Sequence, residues 1–256
     1  MKHNFSTEGF TDIFKLELGQ DLLDLQKRIY NSTKELIIDH DVNLSIVDKL
    51  QLPFKSLPKK EKWSELMNEI NTSNEFKKLI KSEEIIKKFK LVQSKPKIFD
   101  ISTFRARFPD QSRVLYNWHQ DEGTWYLSKN KNHQNKYPST LWLSINGSNS
   151  NDSIQLVKYS HKKVLHNHSF VKGQGFFSAR IKKNTIKEND IFTVETAPSE
   201  GLIFHPLALH RSVPFQASNL RPRYSIDVRY YDEDLKTEFN ESYLFKLKRF
   251  YNRVFG

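Results

Sequence analysis

The chain has 256 residues, a net charge of +11 and no cysteine. Nineteen Phe and ten Tyr supply enough apolar surface for a core, so the chain is expected to fold, as one domain with elaborations. Without cysteine there are no disulfides, thiolate metal sites or Cys nucleophiles.

In chain order, residues 1–97 read as mostly helical. Leu22, Leu25, Ile29 and Leu36 recur at helical spacing. Pro53 and Pro58 interrupt the pattern. Phe76, Leu79, Ile80, Ile86 and Phe89 then form a second stripe between Lys77, Lys78, Lys81, Lys87 and Lys88. Such a lysine pattern is read as the solvated face of an amphipathic segment.

After Pro96 the texture changes. Segments around 98–105, 112–119, 139–145, 153–159, 201–205 and 223–231 are short, aromatic and β-branched, with polar runs between them. That spacing predicts a mainly β architecture, a sandwich or barrel, with the helical part as cover. Loops are expected at 127–138 and at Asn146–Asp152. From Asp232 to Val254 helical spacing returns. One unit follows, with a helical part at 1–97, a β core at 98–231 and a C-terminal helix at 232–256.

The sequence has no signal-peptide-like start and no apolar stretch long enough to span a bilayer. A cytoplasmic protein with no membrane partner is expected. The positive charge speaks first to solubility. In the absence of helix-turn-helix, zinc-finger or RNA-recognition signatures, no nucleic-acid partner is expected.

The candidate chemistry sits at Trp118-His119-Gln120-Asp121, which ends a predicted strand. Side chains two apart in an extended chain point the same way, so His119 and Asp121 can reach one ion. His210 is the candidate third ligand. Two histidines and one carboxylate on one face of an octahedral ion leave three positions open, the donor set of non-haem Fe(II) oxygenases. A lone His-x-Asp is weak evidence, since a strand-end histidine bonded to a carbonyl has the same sequence. Downstream, Tyr224, Ile226, Val228 and Tyr230 alternate with Arg223, Ser225, Asp227 and Arg229. One face of this strand suits packing on helices. The other carries a guanidinium fork able to hold the far carboxylate of 2-oxoglutarate in two-point fashion.

At these residues the sequence resembles the phytanoyl-CoA dioxygenase-like branch of the 2-oxoglutarate oxygenases. Three places carry the resemblance: Trp118–Asp121, Ser153–Lys162 with its Ser160-His161-Lys162 turn, and His210-Arg211-Ser212 followed by Arg223-Tyr224-Ser225-Ile226. The resemblance implies a double-stranded β-helix core. It also implies Fe(II) on His119, Asp121 and His210, 2-oxoglutarate on Arg223, and O₂ at the remaining position. Ser212 and Trp142 match positions that line the co-substrate pocket, although Trp142 also suits a plain core role. Arg223 stands thirteen residues after His210, slightly longer than the family spacing, which Arg221 fits better. The residues after Arg223 match the family strand, and Arg223 is preferred. The turn before Ser160 has Lys158-Tyr159 in place of the usual Pro-Gly.

Related halogenases vacate the carboxylate position, so Asp121 favours hydroxylation or a related oxidation, and the expected reaction is hydroxylation of a small metabolite with release of succinate and CO₂. A metal-binding β-helix protein without turnover is the alternative. Arg105, Arg107 and Arg113 suit an anionic substrate, or are strand-edge charges. Glu122, Thr124, Trp125 and Tyr126 follow the metal motif and are expected to border the substrate. His205 is expected to pack or support, His161 to lie on the surface, and His166 and His168 to lack the setting of a metal pair.

Overall fold

The computed structural model describes residues 2–38, 43–56, 58–107, 117–126, 136–162, 165–166, 168–171, 176–179, 186–213 and 221–234. Its N-terminal part comprises α1 (Lys2–Glu8), β1 (Phe14–Lys15), α2 (Gly19–Thr33), α3 (Ile46–Lys49), α4 (Lys60–Thr72), α5 (Asn74–Leu79) and α6 (Glu83–Phe89). In α2 the stripe Leu22, Leu25 and Ile29 is buried, and each such side chain contributes on the order of 2 kcal/mol. Leu36 falls beyond the helix, in a 3-10 turn at Lys34–Leu36. The second stripe is split between two helices because two serines start new ones. The Ser73 hydroxyl accepts from Phe76 N–H and the Ser82 hydroxyl from Ile85 N–H. Lys77, Lys78, Lys81 and Lys87 are exposed, as a solvated face requires.

The β part contains β2 (Pro96–Ile98), β3 (Thr103–Arg107), a short α7 (Asp121–Tyr126), β4 (Ser139–Ser144), β5 (Ile154–Val157), β6 (His168–Val171), β7 (Phe176–Ala179), β8 (Ile191–Thr193), β9 (Glu200–Phe204), β10 (His210–Ser212) and β11 (Arg223–Asp232). All pairings are antiparallel. The larger sheet has the order β1-β9-β4-β11-β2, with β3 also on β11; the smaller is β10-β5-β8; β6 and β7 form a separate pair. The segment expected at 98–105 divides into β2 and β3. Most of the strand expected at 112–119, the loop residues 127–135, and the expected C-terminal helix beyond residue 234 lie outside the described residues. Asp232 closes β11 instead of opening a helix.

Strand alternation decides what each face does. Tyr224, Ile226, Val228 and Tyr230 of β11 join Leu141 and Leu143 of β4 in one core with Ile29, Leu79 and Phe89 of the helices. Tyr230 stacks on Phe89 at 4.6 Å and donates its hydroxyl to Ile80 O at 2.9 Å. The opposite face points into a second apolar cluster. There Trp142, Leu202 and Phe204 of the larger sheet meet Ile154 and Leu156 of the smaller, so the two sheets face each other. Gly201 allows β9 and β4 to approach, because a Cβ there would overlap the Trp142 carbonyl oxygen. Buried Asn146 ties the halves: its amide donates to Leu50 O and Pro222 O, and its oxygen accepts from Tyr224 N–H.

Candidate metal centre

His119 and His210 lie opposite each other in an isolated antiparallel bridge, with N–H to carbonyl bonds of 3.0 Å in both directions. Their rings come within 4.1 Å, centroid to centroid. The extended-chain reading of His119 and Asp121 is corrected here. Asp121 is the first residue of α7, because the chain turns at Gln120 and Glu122 N–H bonds Pro206 O at 3.1 Å. The turn still aims the carboxylate at the imidazoles. Asp121 Oδ1 lies 3.9 Å from His119 Nε2 and 3.5 Å from His210 Nε2. The three candidate ligand atoms all fall within 4.8 Å of one another.

The bonds around these side chains set their protonation. His119 Nδ1 is 2.9 Å from Asn117 O, and His210 Nδ1 is 3.0 Å from Ala208 O. A carbonyl only accepts, so each Nδ1 carries the proton and a neutral ring turns its Nε2 lone pair inward. Burial, with His210 beside it, pushes His119 down to about 3. Burial alone would raise Asp121, but its charged and hydrogen-bonding surroundings, the Arg229 guanidinium first, hold the carboxyl well below its ordinary value. Its outer oxygen Oδ2 accepts from Thr140 Oγ1 at 2.7 Å and Arg229 Nε at 3.2 Å. Two lone pairs and one carboxylate oxygen therefore converge, an arrangement that fits a divalent cation.

Gln120 and His168 brace the loop between His119 and Asp121. Gln120 N–H donates to His168 Nε2 at 3.0 Å, and His168 Nδ1 donates to His166 O at 2.7 Å. Both ring nitrogens of His168 are thus engaged, which removes it as a ligand. The Gln120 side chain donates to Leu207 O and accepts from His166 N–H, each at 2.8 Å. It thereby joins the His-x-Asp loop to the turn that leads into His210. Gly123 is required by close approach, since a Cβ would overlap the His168 ring.

Further along the inner face, Arg223 is 3% exposed and bonds Asp152 O through Nε at 3.1 Å and the Ser225 hydroxyl through Nη1. Its guanidinium lies over Trp142 at 5.5 Å. Ser144, next to Ser225 across β4–β11, is fully buried and its hydroxyl has no partner among the described residues. Burial pushes Arg223 down to about 10. Arg221 points elsewhere, donating to Asn146 O and Gly147 O at the turn. Ser212, paired with Ile154, shares strand parity with His210. Arg107, opposite Arg223 on β3, is also buried and bonds Ser153 O and Val213 O. Arg105 pairs with Asp227 at 3.1 Å. Arg113 lies outside the described residues, as do the side chains of Thr124 and Tyr126.

His205 packs against Phe5 and His161 at 5.8 and 5.3 Å, and its Nδ1 accepts from Leu207 N–H. His161, expected on the surface, is half-buried against Gly9 and reaches Ser6 O at 3.1 Å. Glu122 and Trp125 are buried. Reading the sequence missed Thr140, Arg229, Gln120 and His168. Strand parity already put Arg229 on the same inner face as Arg223. Its contact with Asp121, 108 residues away in sequence, left no local signal.

No protein-family model and no curated protein matches the sequence. Solved structures do match. The chain shares its fold with non-haem oxygenases. The non-haem monooxygenase ThoJ aligns over 90% of this chain and 76% of its own at 14% identity, TM-score 0.58, and ThoJ is also known as a nickel complex. EvdO2 of Micromonospora carbonacea var. aurantiaca, in complex with 2-oxoglutarate, aligns over 92% and 91% at 13% identity, TM-score 0.53. The α-ketoglutarate-dependent carbocyclase SnoK from nogalamycin biosynthesis aligns over 91% and 83% at 11% identity, TM-score 0.57. Among the described residues no helix is long and apolar enough to cross a membrane.

Proposed function

We propose that this chain is an Fe(II)- and 2-oxoglutarate-dependent oxygenase of the phytanoyl-CoA dioxygenase-like kind, with a double-stranded β-helix core in a single oxygenase domain. The observation that carries the reading is the convergence of His119 Nε2, His210 Nε2 and Asp121 Oδ1, with both Nδ1 atoms occupied by carbonyls. The nickel-bound and 2-oxoglutarate-bound neighbours support it. Iron and 2-oxoglutarate, when bound, supply the oxidising chemistry: with O₂ and substrate they give hydroxylated product, succinate and CO₂.

The chain's own residues hold and shape. His119, Asp121 and His210 would take the ion. Arg223, backed by Ser225 and Trp142, would hold the far carboxylate of 2-oxoglutarate, with Ser212 on the strand face next to it. The apolar cluster between the sheets excludes water from this space and strengthens every charge contact within it. The substrate is a small metabolite, anionic in keeping with the basic strand β3, and the setting cytoplasmic, with neither nucleic acid nor membrane as partner. Hydroxylation is the favoured outcome, although a carbocyclase stands among the neighbours.

The test is anaerobic titration of the protein with Fe(II) and 2-oxoglutarate. A weak visible charge-transfer band of a chelated 2-oxo acid is expected, followed by succinate release on admitting O₂ with a metabolite panel. A featureless spectrum, with no co-substrate binding by calorimetry, would leave only a metal-binding β-helix protein.

A further inference from the structure

The outer oxygen of Asp121 is held from two directions. Thr140 Oγ1 and Arg229 Nε both donate to Oδ2, at 2.7 and 3.2 Å, while Oδ1 alone turns toward the imidazoles. Arg229 is fixed on every side. Its Nη1 donates to Ile101 O at 3.2 Å, its Nη2 reaches Asp227 Oδ2 at 3.5 Å, and its plane lies over Trp125 at 5.0 Å. Asp227 is anchored in turn by Arg105. An alternating chain Asp121–Arg229–Asp227–Arg105 thus crosses from the candidate metal centre to β3. The guanidinium cannot swing away without leaving the buried Asp121 carboxylate without its arginine partner.

We propose that Arg229, with Thr140, is a positioning residue that confines Asp121 to one-oxygen ligation. A carboxylate free at both oxygens can chelate an ion and occupy two positions, and a centre that must accept a chelating co-substrate as well as O₂ has none to spare. Arg229 and Thr140 engage Oδ2 and prevent this. The guanidinium also draws charge from the carboxylate, leaving the ion a stronger acceptor for the co-substrate. The inference rests on the metal-centre reading above.

The experiment compares wild type with Arg229→Met, Arg229→Lys and Thr140→Val, each saturated with Fe(II) under anaerobic conditions. Two quantities are read. One is 2-oxoglutarate affinity by calorimetry. The other is the separation of the antisymmetric and symmetric aspartate carboxylate stretches, by infrared difference spectroscopy on protein carrying ¹³C-labelled aspartate. That separation is wide for one-oxygen ligation and narrows when both oxygens bind. Arg229→Met is expected to narrow it and to weaken 2-oxoglutarate by about tenfold or more, the scale of one charge-assisted hydrogen bond. Arg229→Lys should recover part of both, and Thr140→Val should move both in the same direction by less. Wild-type separation and affinity in Arg229→Met would overturn the proposal. If Arg229→Met does not fold, Thr140→Val and Arg229→Lys decide on the same two readings, and unchanged values in both overturn it. If wild type binds Fe(II) but no 2-oxoglutarate, the oxygenase reading fails. The infrared separation still reports on Arg229 in that case.

Discussion

Arg107 and Arg223 face each other directly across the β3–β11 pairing, two guanidinium groups only 2% and 3% exposed. Each lowers the cost of its own burial through backbone carbonyls, Arg107 through Ser153 O and Val213 O and Arg223 through Asp152 O. Burial and the neighbouring Arg223 nevertheless push Arg107 down to about 9. A pair of like charges in so little water favours an anionic guest.

Arg223→Leu is therefore expected to cost several kcal/mol of 2-oxoglutarate affinity, the order seen for truncating one side of a buried charge pair. Iron affinity should hardly change. Arg221→Leu is the control, since Arg221 bonds the carbonyls of Asn146 and Gly147 instead. Calorimetry on the iron-loaded variants checks both. A large loss in Arg221→Leu with little in Arg223→Leu would reverse the assignment.

Stability should fall as the solution is acidified below pH 6.5. Burial pushes His168 down to about 4 and His205 to about 3. Both are neutral in the folded chain, while the unfolded chain takes up protons near 6.5. The folded-state values are depressed, so the stabilisation is present above 6.5 and drains as pH falls toward 4 and then 3. Each group contributes up to about 1.4 kcal/mol per pH unit. His168→Gln keeps a donor and an acceptor without titrating. Chemical denaturation of that variant between pH 7 and pH 4.5 should show a shallower slope than wild type, and an equal slope would contradict the assignment.

Much of the architecture was legible because periodicity is a local property. The alternation at Tyr224–Tyr230 gave both the helix-facing and the inward face of β11, and Pro96 marked the change from helical to β texture. The convergence of the three side chains was legible because His119 and Asp121 are near neighbours and His210 precedes a recognisable strand. What stayed hidden depends on distant contacts. The Ser82 break in the second helical stripe is the local exception, a single cap on the N–H of Ile85 three residues on. The helical start at Asp121 turns on a bond to Pro206 O. The Thr140 and Arg229 contacts to Asp121 join residues 19 and 108 apart, and no window of sequence contains them.

Gly123→Ala should weaken metal binding even though residue 123 is not a ligand. The new methyl would overlap the His168 ring, and that ring accepts from Gln120 N–H between the two ligands. The ring is held at both nitrogens, so the start of α7 must shift. A cost of about 1–3 kcal/mol in stability is expected for forcing an atom into a packed site. Iron affinity should fall roughly 10–100-fold, as for other supports of a ligand. Gly123→Ala with wild-type iron affinity would show that the brace does not set the ligand loop.

His119→Ala and His210→Ala are each expected to remove most iron affinity, whereas His205→Ala should leave it nearly intact. The argument is one of direction. His119 and His210 have Nδ1 committed to backbone carbonyls and Nε2 turned toward Asp121 Oδ1. His205 uses Nδ1 to accept from Leu207 N–H and lies among Phe5 and His161, on another side of the turn. Its loss should appear as lower stability, on the order of 1 kcal/mol for one hydrogen bond. The first two variants should lose more than about 100-fold in iron affinity, beyond the range for outer partners. Anaerobic calorimetry with Fe(II), beside thermal unfolding without metal, separates the two effects. If His205→Ala alone abolished iron binding while His210→Ala kept it, the third ligand would be His205, and the bridge between His119 and His210 would have only a structural role.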